Sequence, residues 1–431
     1  MNIRIKQHAI ALIIILMSAN VFSQDQTLIH CGKLIDGVSD EVQTEMTIII
    51  TENKILRVEQ GYVVAKGNVR IINLRDKTVL PGLMDMHVHL EGEMTKKSYS
   101  ERFTNNPADI AFKATVFAER TLMAGFTTVR DLGGSGVNIS LRNAINKGLV
   151  KGPRVYTAGK SIAITGGHAD PTNGWRWDLM GDPGPDNGVA NGIAECRKAV
   201  RAQVKKGSDL IKITATGGVL SVARDGFRPQ FTEDEIQAIV ETADDFGIHV
   251  AAHCHGAEGM KRAIRAGVKT IEHGTLMDAE VMSLMKKYGT YYVPTITAGK
   301  AVADSAKIPH YYPEVVTPKA EFIGPKIQET FGKAYKAGVK IAFGTDAGVF
   351  KHGLNWLEFK FMIEGGMPAM EAIKSATMVA AEVLDIDQEL GSIEEGKLAD
   401  IIAVNDNPLR KISTLGNVVF VMKDGVVYKS E

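Results

Sequence analysis

Two histidines one residue apart, His87 and His89, close the apolar run LPGLMDMHVHL of residues 80–90. On an extended strand, positions i and i+2 point to the same side, so both imidazoles can grip one metal ion. Alone the pair says little, because a buried histidine is usually a satisfied core group. Its weight comes from four residues further along the chain: Lys212 in DLIKITATGG, His253 in HVAAHCHG, His273 in TIEHGT and Asp346 in IAFGTDAG. Each stands at or near the C-terminal end of its own short apolar run. A lysine among Leu210, Ile211 and Ile213 is costly to bury unless it is paired or modified. It is either a structural lysine bonded to a buried carboxylate or a carbamylated one. In the second case carbon dioxide adds to the neutral amine and gives a carboxylate long enough to bridge two metal ions. His253 and His273 suit a second metal, and Asp346 can bind one metal and still accept a proton. Together these residues point to metal-dependent hydrolysis.

Such a set needs a scaffold that brings strand ends together. Between residues 81 and 390 the sequence alternates strand and helix. The expected strands are Gly82–His89, Thr127–Asp131, Arg154–Ala158, Leu210–Ala215, Val250–His253, Thr270–His273, Tyr291–Thr295 and Lys340–Thr345. Thr232 and Glu235 form a capping box ahead of a helix that stops at Gly247, and two further helices stop at Gly267 and Gly289. Eight β/α units closing into a TIM barrel are the natural α/β solution, with chemistry at the C-terminal strand ends. An open doubly wound sheet is the alternative, but no G-x-G-x-x-G opens a helix after a first strand.

Residues 24–80 and 391–431 have a different texture, short strands split by turn residues, with Lys423-Asp424-Gly425 as a hairpin turn. Neither segment has enough apolar surface to fold alone. The expectation is one small β-sandwich domain built from both termini. Residues 1–23 read as a signal peptide: Arg4 and Lys6, then the apolar run Ala9 to Met17, then small residues at a cleavage site. That run is too short for a comfortable membrane span. The protein is therefore expected to be exported, to the periplasm or beyond, with no membrane span after cleavage. Lys+Arg and Asp+Glu balance at 50 each, which gives no basic excess for nucleic acid and no acidic tail. Cys31, Cys196 and Cys254 are too few and scattered for a disulfide framework, and Cys254 reads as a small buried hydrophobe.

The motifs LPGLMDMHVHL, DLIKITATGG, HVAAHCHG, TIEHGT and FGTDAG resemble the amidohydrolase superfamily, in its subtype with two metals bridged by a carbamylated lysine. The resemblance covers nearly all of the chain after residue 23, including LGSIEEGKLADIIAVNDNP, which is similar to the return from barrel to β-domain. Carried over by motif, it implies that His87, His89 and Asp346 hold one metal, His253 and His273 the other, and that Lys212 bridges both. It implies two divalent ions, zinc being the first choice because imidazole and carboxylate suit it; manganese, cobalt and iron stay open. Water shared by such ions ionises near neutral pH, and Asp346 is the expected catalytic group that carries its proton to the leaving nitrogen.

Within that superfamily the texture is similar to prolidase-like dipeptidases related to imidazolonepropionase. The segments concerned are Thr165 to Asp170, Ala215 to Ser221, and AAHCHGAEG. They imply a small-molecule or dipeptide substrate, Xaa-Pro or a related dipeptide or N-acyl amino acid. His168, His255, Gly217 and Gly218 are the candidate substrate contacts. His255 faces the same side as His253 and could replace it as ligand. Arg224 and Arg228 either bind a carboxylate or lie in a solvated loop. Imidazolonepropionase-like hydrolysis of a cyclic amide, and lactone or phosphotriester hydrolysis at the same centre, are the alternatives; Lys212 argues against single-metal relatives. A non-enzymatic scaffold is disfavoured because all six ligand positions are present. Self-association stays open.

Overall fold

The computed structural model describes residues 26–65, 67 and 69–431. The expected signal peptide, residues 1–23, lies outside the described residues. The described strands are β1 (Gln26–Leu34), β2 (Gln43–Thr51), β3 (Lys54–Gln60), β4 (Val69–Pro81), β5 (Leu83–Val88), β6 (Phe126–Asp131), β7 (Arg154–Thr157), β8 (Ile211–Thr214), β9 (Val250–Gly256), β10 (Thr270–Leu276), β11 (Tyr291–Val293), β12 (Ile401–Val404), β13 (Val418–Lys423) and β14 (Val426–Ser430).

Both termini build one sheet, in the order β14-β13-β12-β4-β1-β2-β3. The strands form a single continuous hydrogen-bonded sheet. Ile29, Ile48, Ile50, Ile401, Phe420 and Met422 share its apolar core. The expected hairpin turn joins β13 to β14, with Asp424 and Gly425 both at positive φ, 50° and 73°, as a tight two-residue hairpin demands.

Strand β4 runs almost without a break into β5, the first stave of a TIM barrel. The parallel sets β5-β6-β7 and β8-β9-β10-β11 are its two arcs. One seam is closed by Asp209 N–H donating to the Thr157 carbonyl at 2.8 Å and by the Ile162–Ile213 bridge. The eighth stave, residues 340–347, is extended but not a regular strand. It is held by parallel bridges Tyr292–Ile341 and Val88–Ala347. The cause lies in its own residues. A Cβ on Gly344 would lie 2.3 Å from Val293 Cγ1, and Asp346 turns the chain at φ 59°, so the ladder is interrupted where the chain passes His87.

Helices cover the barrel as the periodicity suggests. Glu233–Asp244 starts at the Thr232/Glu235 capping box. Ala257–Arg265 and Ala279–Tyr288 end near Gly267 and Gly289, both left-handed at φ 95° and 72°. Among the described residues no helix is long and apolar enough to cross a membrane. All three cysteines are buried and unpaired, and Cys254 packs in the main apolar core.

Candidate active site

The C-terminal ends of the barrel strands open into a cavity of about 640 Å³. His87, His89, His168, Lys212, His253, His255, His273 and Asp346 all line it. Side chains distant in sequence are thus collected at one mouth, as the barrel argument requires.

Two of the imidazoles are held in a defined tautomer. His89 Nδ1 lies 2.7 Å from the Gly133 carbonyl, which can only accept, so Nδ1 carries the hydrogen. His87 Nδ1 lies 2.9 Å from Glu272 Oε2. Glu272 is in turn gripped by Arg130 at 2.7 Å and by the Thr270 hydroxyl. Burial by itself would raise the Glu272 carboxyl, but Arg130 and His87 outweigh it and bring it down to about 2. An ionised Glu272 makes His87 Nδ1 the donor. Burial brings His87 down to about 4, so its Nε2 lone pair faces Asp346 Oδ1 at 3.6 Å. His89 Nε2 lies 3.3 Å from the same oxygen, which outweighs burial and raises His89 above its ordinary value. That oxygen is buried and has no aligned hydrogen-bond donor. With both rings neutral these three atoms are acceptors converging on one point, an arrangement a cation relieves, so the donor set fits a metal ion. Among the described residues, these three form a candidate metal-holding group.

The other candidates surround this point. The ring centroid of His273 lies 5.0 Å from that of His87 and 4.6 Å from that of His253. His273 Nδ1 meets Thr295 Oγ1 at 2.8 Å, and both residues are at positive φ, 68° and 54°. With Asp346 they make three non-glycine residues in a costly backbone region at the strand ends, a pattern common at functional sites. His253 Nε2 points at the Gly217 carbonyl at 3.2 Å, while His255 Nδ1 is anchored on Thr275 Oγ1 at 2.9 Å. Both rings of the open choice therefore face the cavity. Burial holds His255 and His168 at about 3, and His253 and His273 well below the usual range, so all four are neutral donors and acceptors.

Lys212 is buried, and its Nζ makes no hydrogen bond or salt bridge to any described residue. Burial pushes its ammonium down to about 8, against the pull of Glu272 and Asp346. Asp346 is itself held below its ordinary value: burial would raise it, and His87, His89 and Lys212 outweigh that.

The expected substrate contacts separate. His168 lines the cavity, stacked on His253 at 4.4 Å, and its buried Nδ1 has no partner. Gly218 stands behind it: a Cβ there would lie 2.2 Å from the His168 ring. Gly217 offers its carbonyl to His253. These two glycines shape the wall rather than line the cavity. Arg224 and Arg228 are exposed and outside the lining. Sequence reasoning missed Glu272, Arg130, Thr295 and the Gly133 carbonyl. Only Glu272 left a signal, a carboxylate adjoining His273 in TIEHGT.

A family model for the amidohydrolase family matches residues 78–428. The ochratoxinase of Aspergillus niger is 32% identical over 425 residues, spanning 94% of this chain and 86% of its own. A crystal structure of a Xaa-Pro dipeptidase with methionine bound in its active site is 56% identical, with a TM-score of 0.93, covering 94% of this chain and 100% of the other. A prolidase complexed with N-methylphosphonate-L-proline is 32% identical, with a TM-score of 0.85 and coverage of 94% and 100%. With the barrel, the terminal sheet and the His87–His89–Asp346 group, these likenesses place the chain in the amidohydrolase family.

Proposed function

We propose that this amidohydrolase is an exported two-metal enzyme that cleaves dipeptides or N-acyl amino acids bearing a free C-terminal carboxylate. Family membership makes it a hydrolase of carbon–nitrogen bonds. The observation that carries the finer reading is the pairing of the His87–His89–Asp346 cluster with a buried, unpartnered His168 nitrogen on a wall that also carries apolar side chains. The relatives support it, since one is a Xaa-Pro dipeptidase and another a prolidase.

His87, His89 and Asp346 would hold one divalent cation, His253 and His273 a second, with a carbamylated Lys212 between them. Zinc is the preferred ion for this donor set. When bound, such ions supply Lewis-acid polarisation and a nucleophile available near neutral pH. The protein's own groups do the rest. Asp346, kept ionised by its neighbours, takes the proton of the attacking water and delivers it to the leaving nitrogen. Glu272 and Gly133 fix the two imidazoles in the tautomer that leaves Nε2 free. The neutral His168 ring donates to the substrate carboxylate, and Met94, Val219, Leu220 and Val302 receive an apolar side chain. Export rests on the first 23 residues.

The test is a set of dipeptides and N-acyl amino acids with free and amidated C-termini, using protein loaded with zinc and bicarbonate. Amidation should lower kcat/KM by about tenfold or more, because it leaves a buried polar group unpaired. His168→Ala should erase most of that difference. Equal efficiency on both forms removes carboxylate recognition. Turnover of lactones or phosphotriesters with none of dipeptides overturns the substrate class, since fold and centre alone do not fix it.

A further inference from the structure

The chain between β8 and the helix Glu233–Asp244 makes an excursion without regular structure. Its neck is pinched by the Thr216–Pro229 bridge and by Gly217 N–H donating to the Arg228 carbonyl at 3.0 Å. Such a loop has no ladder to satisfy its carbonyls, so something else must. Here one side chain from a distant helix takes three of them at the loop's tip. Lys319, in Thr317–Ile323, is buried and donates from Nζ to the carbonyls of Gly218 at 2.9 Å, Ser221 at 2.8 Å and Ala223 at 2.8 Å. An ammonium has three N–H donors, and all three are used. A second side chain, the Tyr99 hydroxyl, donates to the Leu220 carbonyl at 2.8 Å. The loop's aliphatic contact is equally specific: a Cβ on Gly226 would lie 3.1 Å from Lys319 Cδ.

The pinned stretch is also the cavity's wall. Val219 and Leu220 line the cavity, as do Val302 and Ile323. Val219, Val302 and Ile323 belong to one small apolar cluster with Val316 and Ala320 of the Lys319 segment, and Leu220 packs against it. Gly218, whose carbonyl Lys319 takes, sets the position of His168 from behind.

We propose that Lys319 is the positioning residue that fixes this wall and thereby sets the size of apolar side chain the site accepts. The selectivity half rests on the proposed dipeptide reading; the loop half does not. Lys319 touches none of the candidate metal-holding side chains, so a wall defect and a metal defect are separable.

Lys319→Met keeps the stem and removes the donors. Two readouts decide the matter. The first is limited trypsin digestion at Arg224–Asp225, the exposed cleavable bond of the loop; Arg228 precedes Pro229 and resists. Cleavage there should accelerate roughly tenfold or more in the variant, as a released loop opens more often. The second is kcat/KM for glycyl-L-methionine against glycyl-L-alanine. The wild-type preference between them should shrink roughly fivefold or more through KM, with kcat on alanine and metal content little changed. Tyr99→Phe, which removes only a hydroxyl, should move both readouts the same way by less, and serves if Lys319→Met folds poorly. Unchanged cleavage in both variants overturns the clamp. Faster cleavage with an unchanged preference overturns its role in selectivity. Hydrolysis of neither dipeptide by the wild type overturns the dipeptide reading on which the selectivity half rests and leaves the digestion to decide the loop claim.

Discussion

Asp346 has two proposed roles, cation ligand and proton carrier, and a conservative substitution separates them. It shares a point with two histidine Nε2 atoms, and its charge is stabilised by the same neighbours. Asp346→Asn keeps the size and one acceptor oxygen but cannot shuttle a proton. Turnover should fall by about two orders of magnitude or more, with much of the metal retained, as steady-state kinetics and elemental analysis would show. Wild-type turnover would reduce Asp346 to a ligand. Glu272 acts one step further out, through His87. Glu272→Gln keeps the shape and removes the charge that orients the imidazole. Metal affinity should weaken about 10- to 100-fold, read by titration with a competing chelator. The same change leaves Arg130 as a buried cation without its ion-pair partner, so unfolding free energy should fall by about 3–5 kcal/mol. An unchanged affinity would show that the Gly133-held His89 and Asp346 suffice.

At the scale of elements, glycine decides how closely the walls approach. A Cβ on Gly218 would collide with the His168 ring, whereas Gly184 faces open space with an ordinary φ of −106°. Gly218→Ala should therefore cost about 1–3 kcal/mol as local overpacking and raise KM by displacing His168. Gly184→Ala should be neutral in the same denaturation and kinetic assays. Equal effects would mean that the His168 wall is soft. The elements themselves were readable in the sequence for a physical reason. Seven staves are short apolar runs bounded by turn residues, and the capping box at Thr232 and the glycine stops mark helix ends by local chemistry. The eighth stave was readable as a segment but not as an irregular one, because its breaks come from contacts with Val293 and His87. In the site, His87, His89, Lys212, His253, His273 and Asp346 stood out because polar residues ending apolar runs are costly without a use. Arg130 gave no such signal: in FTTVRD it ends an apolar run like any solvated arginine, yet it is fully buried against Glu272. Lys319 lay in a segment with no strand or capping pattern, and its three carbonyl partners are about a hundred residues away.

For the molecule as a whole, the terminal sheet and the barrel are joined by a few polar contacts as well as by the β4–β5 run. Arg154 of β7 reaches Asp400 at 2.9 Å and also Asp424, while Lys423 Nζ donates to the Gly152 carbonyl at 2.9 Å. Arg154→Ala strands two carboxylates, Asp400 being nearly fully buried, and should cost about 3 kcal/mol. The denaturant midpoint should drop while kcat stays near wild type, because the cavity lies elsewhere. A large loss of kcat in the folded variant would show that the sheet also tunes the site. The central claim is that one mouth of this barrel holds two cations bridged through Lys212. Its most direct test is the metal content of fully active protein prepared with zinc and bicarbonate, measured by elemental analysis alongside Lys212→Ala. The account requires about two metals per chain in the wild type, and loss of the second metal with nearly all turnover in the variant. A firm stoichiometry of one with full activity would contradict it.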